Sequence, residues 1–266
     1  MFGFLKKQEL MEQDTVEWLF DVFAWSLRNF GRDVFFNETI LVVPSNKHFP
    51  GRVNSVEGMA SLIFEQVQTY AGLKHWPCRL QDMNTIDSSP ASTKLLINGA
   101  LRGKDGVAVD AVDEEHKLLV AYNPHQISDP EAMIASYAHT LAHYLGSMAQ
   151  ESPPGGEDLW PHVTEIVAVF MGFGLMFANT ASVYRGGGCA SCYNPRAERM
   201  AFLSQDEVTY ALALFCVLKG IPDKEVLANL KKHLRPVFKK AIKDIRLNTS
   251  GLHKLRAIES VSLLPE

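Results

Sequence analysis

From Ile166 to Ala178 the chain reads Ile-Val-Ala-Val-Phe-Met-Gly-Phe-Gly-Leu-Met-Phe-Ala, thirteen residues without a polar side chain. A helix that is apolar on every side has to be surrounded by other elements or by lipid. Thirteen residues are too few to cross a hydrocarbon core that needs about 20, so the run predicts a buried helix running to Ala178. Glu165 stands directly ahead of it. A carboxylate at the entrance of such a helix needs a partner, because an unpaired buried charge is costly.

A second pattern lies upstream, in Ala132-Met-Ile-Ala-Ser-Tyr-Ala-His-Thr-Leu-Ala-His-Tyr-Leu-Gly146. Asp129 is a suitable N-cap and Pro130 a favoured first residue, so a helix is expected from there. On it His139 and His143, four apart, share one face and can reach one metal ion. That is the ligand geometry of the H-E-x-x-H motif, but Thr140 stands where that motif has its glutamate. Ala132, Ala135, Ser136, His139, Ala142, His143 and Gly146 form a stripe of small residues around the pair. The stripe leaves room for an ion or for a closely packed second helix. Glu165, 22 residues beyond His143, is a third ligand at a separation that suits a helical hairpin. Two histidines and one carboxylate leave a position open for water, as in catalytic zinc sites; the same set suits iron. In the competing reading Glu165 is a helix first-turn acid held by backbone amides, and His139, His143 and Glu165 form a metal-free hydrogen-bonded cluster. His162 is a rival ligand, but it lies near the helix start beside Pro161 and is expected to be exposed.

The segments His139–Gly146 and Thr164–Asn179 together resemble the gluzincin type of zincin-like metallopeptidase. From the N-terminal helix to about Ile245, including Tyr210-Ala-Leu-Ala-Leu-Phe215, the layout is similar to that of uncharacterised bacterial proteins, many with H-E-L-A-H at the motif. The resemblance implies a zincin-like fold, zinc as the metal, and His139, His143 and Glu165 as its ligands. It also implies a strand flanking the cleft that can pair with an extended peptide. It implies no substrate.

The mechanism turns on Thr140. In such peptidases the glutamate takes a proton from metal-bound water and passes it to the leaving amine. A threonine hydroxyl cannot act as a base at neutral pH. Without a base the rate falls by about 10²–10⁴-fold, unless Glu151, Glu157 or Asp158 substitutes. The expected function is that of a degenerate metallopeptidase, a metal-holding protein that binds a peptide or protein partner. The alternatives are an active hydrolase with a substitute base and a metal-free structural protein.

Composition narrows the remaining classes. With 47% hydrophobic residues and a net charge of −4, neither disorder nor general polyanion binding is favoured. The basic C-terminal quarter, with Lys231, Lys232, Arg235, Lys239, Lys240, Lys243, Arg246, Lys254 and Arg256, reads as a solvated face. The opening Met1-Phe-Gly-Phe-Leu-Lys-Lys lacks the apolar core of a signal peptide, so the cytoplasm is the expected location and no membrane partner is expected. Cys189-Ala-Ser-Cys192 in a glycine-rich loop offers a possible second site, half a zinc knuckle or a redox pair. Cys78 is the other candidate partner, and Cys216 reads as a core thiol.

The expected architecture is α+β and helix-rich, one zincin-like domain over 1–266. Its α/β part covers about 14–125, its helical part about 126–250, and a tail 251–266. Expected helices include one stopped at Gly31, one capped by Ser55 and one from Gln205 to Leu218 ended by Gly220. Expected strands are Ile40–Val43, Leu95–Asn98, Gly106–Val109 and Lys117–Tyr122.

Overall fold

The computed structural model describes residues 10–86, 97–108, 112–181 and 201–259. The first helix, α1 (Gln13–Asn29), buries Leu19, Val22, Phe23, Trp25 and Leu27 and closes at Phe30, just ahead of Gly31. Ser55 accepts the Gly58 N–H and caps α2 (Val56–Tyr70). Strand β1 (Cys78–Asp82) pairs in parallel with β4 (Leu118–Tyr122), and the short β2 (Asn98–Gly99) pairs antiparallel with β3 (Gly106–Val107). The strand expected at Lys117–Tyr122 is present as β4. Its partner β1 was not expected, because every residue in it is only half-buried and no alternation marks it.

Asp129 accepts the Ala132 N–H at 3.1 Å and starts α3 (Pro130–Ser147) as its sequence predicts. The apolar run then divides. Helix α4 (Trp160–Ala168) passes through a wide turn at Val169–Phe173 into α5 (Gly174–Thr180). The break is Gly172, with φ of 102°, a backbone state that side chains with a Cβ rarely adopt. A Cβ there would also lie 2.1 Å from the Ile40 carbonyl oxygen. The segment expected to be a strand at Ile40–Val43 is what presses on this break. It forms no sheet, and its Val42 N–H donates to the Gly172 carbonyl at 3.0 Å. Two sequence expectations, an unbroken helix to Ala178 and a strand at 40–43, thus fail at one contact.

The run Glu157–Thr180 has the length and apolarity of a membrane span, yet 94% of its apolar window is buried inside the fold. Its covering is aromatic: Phe35 stacks on Phe170 at 4.6 Å and meets Phe215 edge-on at 5.6 Å. Helix α6 (Gln205–Lys219) begins with a reciprocal capping box between Ser204 and Glu207 and ends at Gly220 in the left-handed region. Then come α7 (Asp223–Asn229), α8 (Arg235–Leu247) and α9 (Thr249–Ala257). Pro236 lies in the first turn of α8, where its missing N–H costs no helical hydrogen bond. The supposed tail from 251 is helical as far as Ala257, with Leu252 and Leu255 buried. The described residues therefore form a helix-rich α+β structure with small sheets in the N-terminal half and helices in the C-terminal half.

Candidate functional site

Helices α3 and α4 lie side by side, and their contact explains the small stripe. A Cβ at Gly146 would be 2.6 Å from the Trp160 ring; the indole occupies the space that glycine leaves. Ala132, Ala135 and Ala142 on the same stripe are buried. At Gly146 the stripe thus receives a side chain of the neighbouring helix.

The indole also reaches the histidines. Trp160 Nε1 donates to His143 Nδ1 at 3.1 Å, with the two rings 5.9 Å apart and edge-on. An indole N–H only donates, so Nδ1 is the unprotonated nitrogen and Nε2 carries the proton of the neutral ring. His143 itself is exposed, whereas His139 is half-buried with its Nε2 out of contact with solvent. Between them Thr140 turns its hydroxyl back along its own helix, donating to the Ser136 carbonyl at 3.2 Å.

Glu165 is fully buried, and both carboxylate oxygens are engaged. Oε1 accepts the Phe202 N–H at 3.2 Å and Oε2 the Leu203 N–H at 3.0 Å. These amides belong to the turn that leads into α6, so the carboxylate fastens that turn to α4. His162, expected to be exposed, is half-buried with its ring 5.9 Å from Phe202. Its Nδ1 is buried without a hydrogen-bond partner.

Whether zinc suits these residues follows from the nitrogen chemistry. A zinc-bound imidazole ordinarily donates its second N–H to an acceptor. His143 does the reverse, since its Nδ1 accepts, and its Nε2 lone pair is available only after the proton there is lost. Ligation therefore requires His143 to give up the Trp160 bond. Among the described residues no three of His, Cys, Asp or Glu are gathered closely enough to hold an ion together. As arranged, His143 is engaged by Trp160 and Glu165 by the amides of Phe202 and Leu203.

The substitute bases are placed as follows. Glu151 forms a two-oxygen pair with Arg28, Nε to both oxygens at 3.1 and 2.9 Å and Nη2 at 2.7 Å. The Arg28 hydrogen bond holds its carboxyl below the usual carboxylate range, against a smaller opposing effect of burial. The same loop is pinned to α1 by Trp18 and Trp25, whose indoles donate to the Pro154 and Glu151 carbonyls at 3.0 and 2.9 Å. A carboxylate fixed in this way is a weak base. Glu157 and Asp158 are exposed in the turn before α4.

Cys189 and Cys192 lie outside the described residues. Cys78, their candidate partner, is half-buried, and burial pushes its thiol up to about 12. Cys216 is a core thiol in α6. The sequence reading missed Trp160 as a histidine partner; the signal available was a tryptophan facing a glycine on the neighbouring helix. No protein-family model, curated protein or solved structure matches this chain.

Proposed function

We propose that this chain is a degenerate zincin-like protein that binds a peptide or protein partner and does not cleave it. Thr140 carries the reading. It stands at the motif position of the general base, it cannot accept a proton at neutral pH, and its hydroxyl is bonded to its own helix at Ser136. Glu151, one substitute base, is held by Arg28 and tied to α1. The exposed His143–Trp160 pair and the two-stranded β1–β4 sheet offer polar, aromatic and strand-edge contacts of the kind an extended peptide uses. A cytoplasmic location belongs to the same reading.

Zinc enters it through His139, His143 and Glu165, on the condition that His143 exchanges the Trp160 bond for the ion. A metal-free structural protein is the second reading, favoured by Glu165, whose carboxylate already has two backbone donors.

The test is a peptide-library assay with zinc present on wild type, Thr140→Glu and, as a blank, His139→Ala, with metal content measured on each. Wild type should be silent. Hydrolysis that appears in Thr140→Glu and needs His139 supports a degenerate cleft. Strong wild-type cleavage that vanishes in His139→Ala overturns the proposal.

A further inference from the structure

Against the Phe170 ring lies a buried cation with an unused donor. Arg102 is 2% exposed. Its Nε donates to the Ala71 carbonyl at 2.7 Å, its Nη2 to Thr39 Oγ1 at 2.8 Å, and its guanidinium lies 5.4 Å from the centre of the Phe170 ring. Its Nη1 is buried and has no hydrogen-bond partner. A guanidinium out of water is stabilised well only by an anion and by full use of its donors. No carboxylate among the described residues pairs with it. Glu38, close enough for its charge to be felt, instead accepts the Lys104 backbone N–H at 2.9 Å.

The surroundings add positive charge. Lys219 places its ammonium on the Phe35 and Phe36 carbonyls, both at 2.6 Å. Burial, and then the charge of Arg102, pull its pKa down. Arg102 also lines a cavity of about 390 Å³, whose other walls include Glu38, Ile40, Tyr70, Lys74 and Lys104. Two glycines hold that cavity in shape. Gly103, with φ of 93°, donates its N–H to the Gly72 carbonyl at 2.8 Å, and a Cβ on Gly72, with φ of 74°, would lie 3.1 Å from Gly103 N. Three cations and one carboxylate around an apolar wall form a site for an anion with an apolar body.

We propose that this cavity binds a small oxyanion, a carboxylate or phosphate group, with the Arg102 guanidinium as its inner charge and Lys74 and Lys104 as its outer charges. Guanidinium and ammonium groups recognise both kinds of oxyanion, so the two sources are separated by probe. The full-length protein is melted in inorganic phosphate, in benzoate and in chloride at equal ionic strength. Stabilisation beyond chloride that saturates with concentration is the expected result. Phosphate alone assigns a phosphate site, and benzoate alone a carboxylate site with an apolar wall.

Two exposed lysines supply a variant that keeps the fold. Lys74→Ala with Lys104→Ala should weaken the responding probe about tenfold, as loss of nearby opposite charge does. Glu38→Gln should tighten it, since the like charge is removed. Arg102→Lys should abolish it; if that variant fails to fold, the lysine and Glu38 variants decide. No shift in wild type with either probe overturns the proposal, and so does a shift that both the lysine double variant and Glu38→Gln leave unchanged.

Discussion

The two ends of the α4–α5 run are built on opposite terms. At its start Trp160 leans out over Gly146 to meet an exposed His143. Further in, Glu165 and Gly172 are buried and each is fixed by backbone groups: Glu165 by the amides of Phe202 and Leu203, Gly172 by the carbonyl of Ile40 and the N–H of Val42. A side chain in water can exchange partners at small cost, because water replaces what is lost. A buried carboxylate or a glycine in the left-handed region cannot. The exposed end is thus where ligand exchange is affordable, and the buried end is where the fold is specified.

The sharpest way to break this contrast is Gly172→Ala. Its Cβ would strike the Ile40 carbonyl from a strained backbone state, so a loss of about 3 kcal/mol or more is expected in urea melts. A loss below about 1 kcal/mol would mean that the 39–43 segment yields freely and that the buried end is not rigid.

Glu165→Ala comes next. It strips two inward amides of their acceptor, at an expected cost of about 2–4 kcal/mol. Chelator treatment of the wild type separates the readings here. If Glu165 acts as an amide clamp alone, EDTA leaves the melting temperature unchanged; a drop comparable to that of the variant would instead make it a metal ligand.

At the exposed end, Trp160→Phe keeps an aromatic residue beside Gly146, removes the indole donor and withdraws the ring edge that packs there. About 1 kcal/mol of stability should be lost. In the zinc-holding reading the same variant frees His143 Nδ1, and equilibrium dialysis should show tighter zinc binding than wild type. Weaker binding would mean that the indole helps to orient the ring for metal.

The smallest effect concerns Glu151. Its carboxyl is depressed in the folded state by the Arg28 hydrogen bond, so it binds a proton less readily folded than unfolded. Its contribution is therefore complete above the ordinary carboxylate pKa of about 4.3 and is lost as pH falls through the lower folded value. Because the pair is partly exposed, with side chains 37% and 39% accessible, solvent screening keeps the effect to a few tenths of a kcal/mol. Stability against pH for wild type and Arg28→Ala should converge in acid and separate at neutral pH. Parallel curves would show that Arg28 acts through packing alone.

Much of the helical frame was legible in the sequence because its signals are local. Asp129 before Pro130, Ser55 before Val56 and Gly220 after Lys219 each act within a turn of the residue they affect. The small stripe on α3 was legible as a close approach, although not that Trp160 would fill the space at Gly146. The apolar run likewise announced burial without announcing its break.

Several outcomes were decided only when distant segments met. Ile40–Val43 has strand composition, but its Val42 N–H bonds to the carbonyl of Gly172, 130 residues away. Glu165 had two readings, metal ligand or amide acceptor, and the sequence could not choose between them. The amides that now hold it come from residues 37 and 38 positions later. Arg102 sits in a turn that reads as polar and exposed, yet α2, the 39–43 segment and Phe170 close over it. Periodicity and capping report on what a residue does within a few positions of itself. Which buried carboxylate, cation or imidazole meets which partner depends on packing between segments far apart in the chain, and no local pattern encodes that.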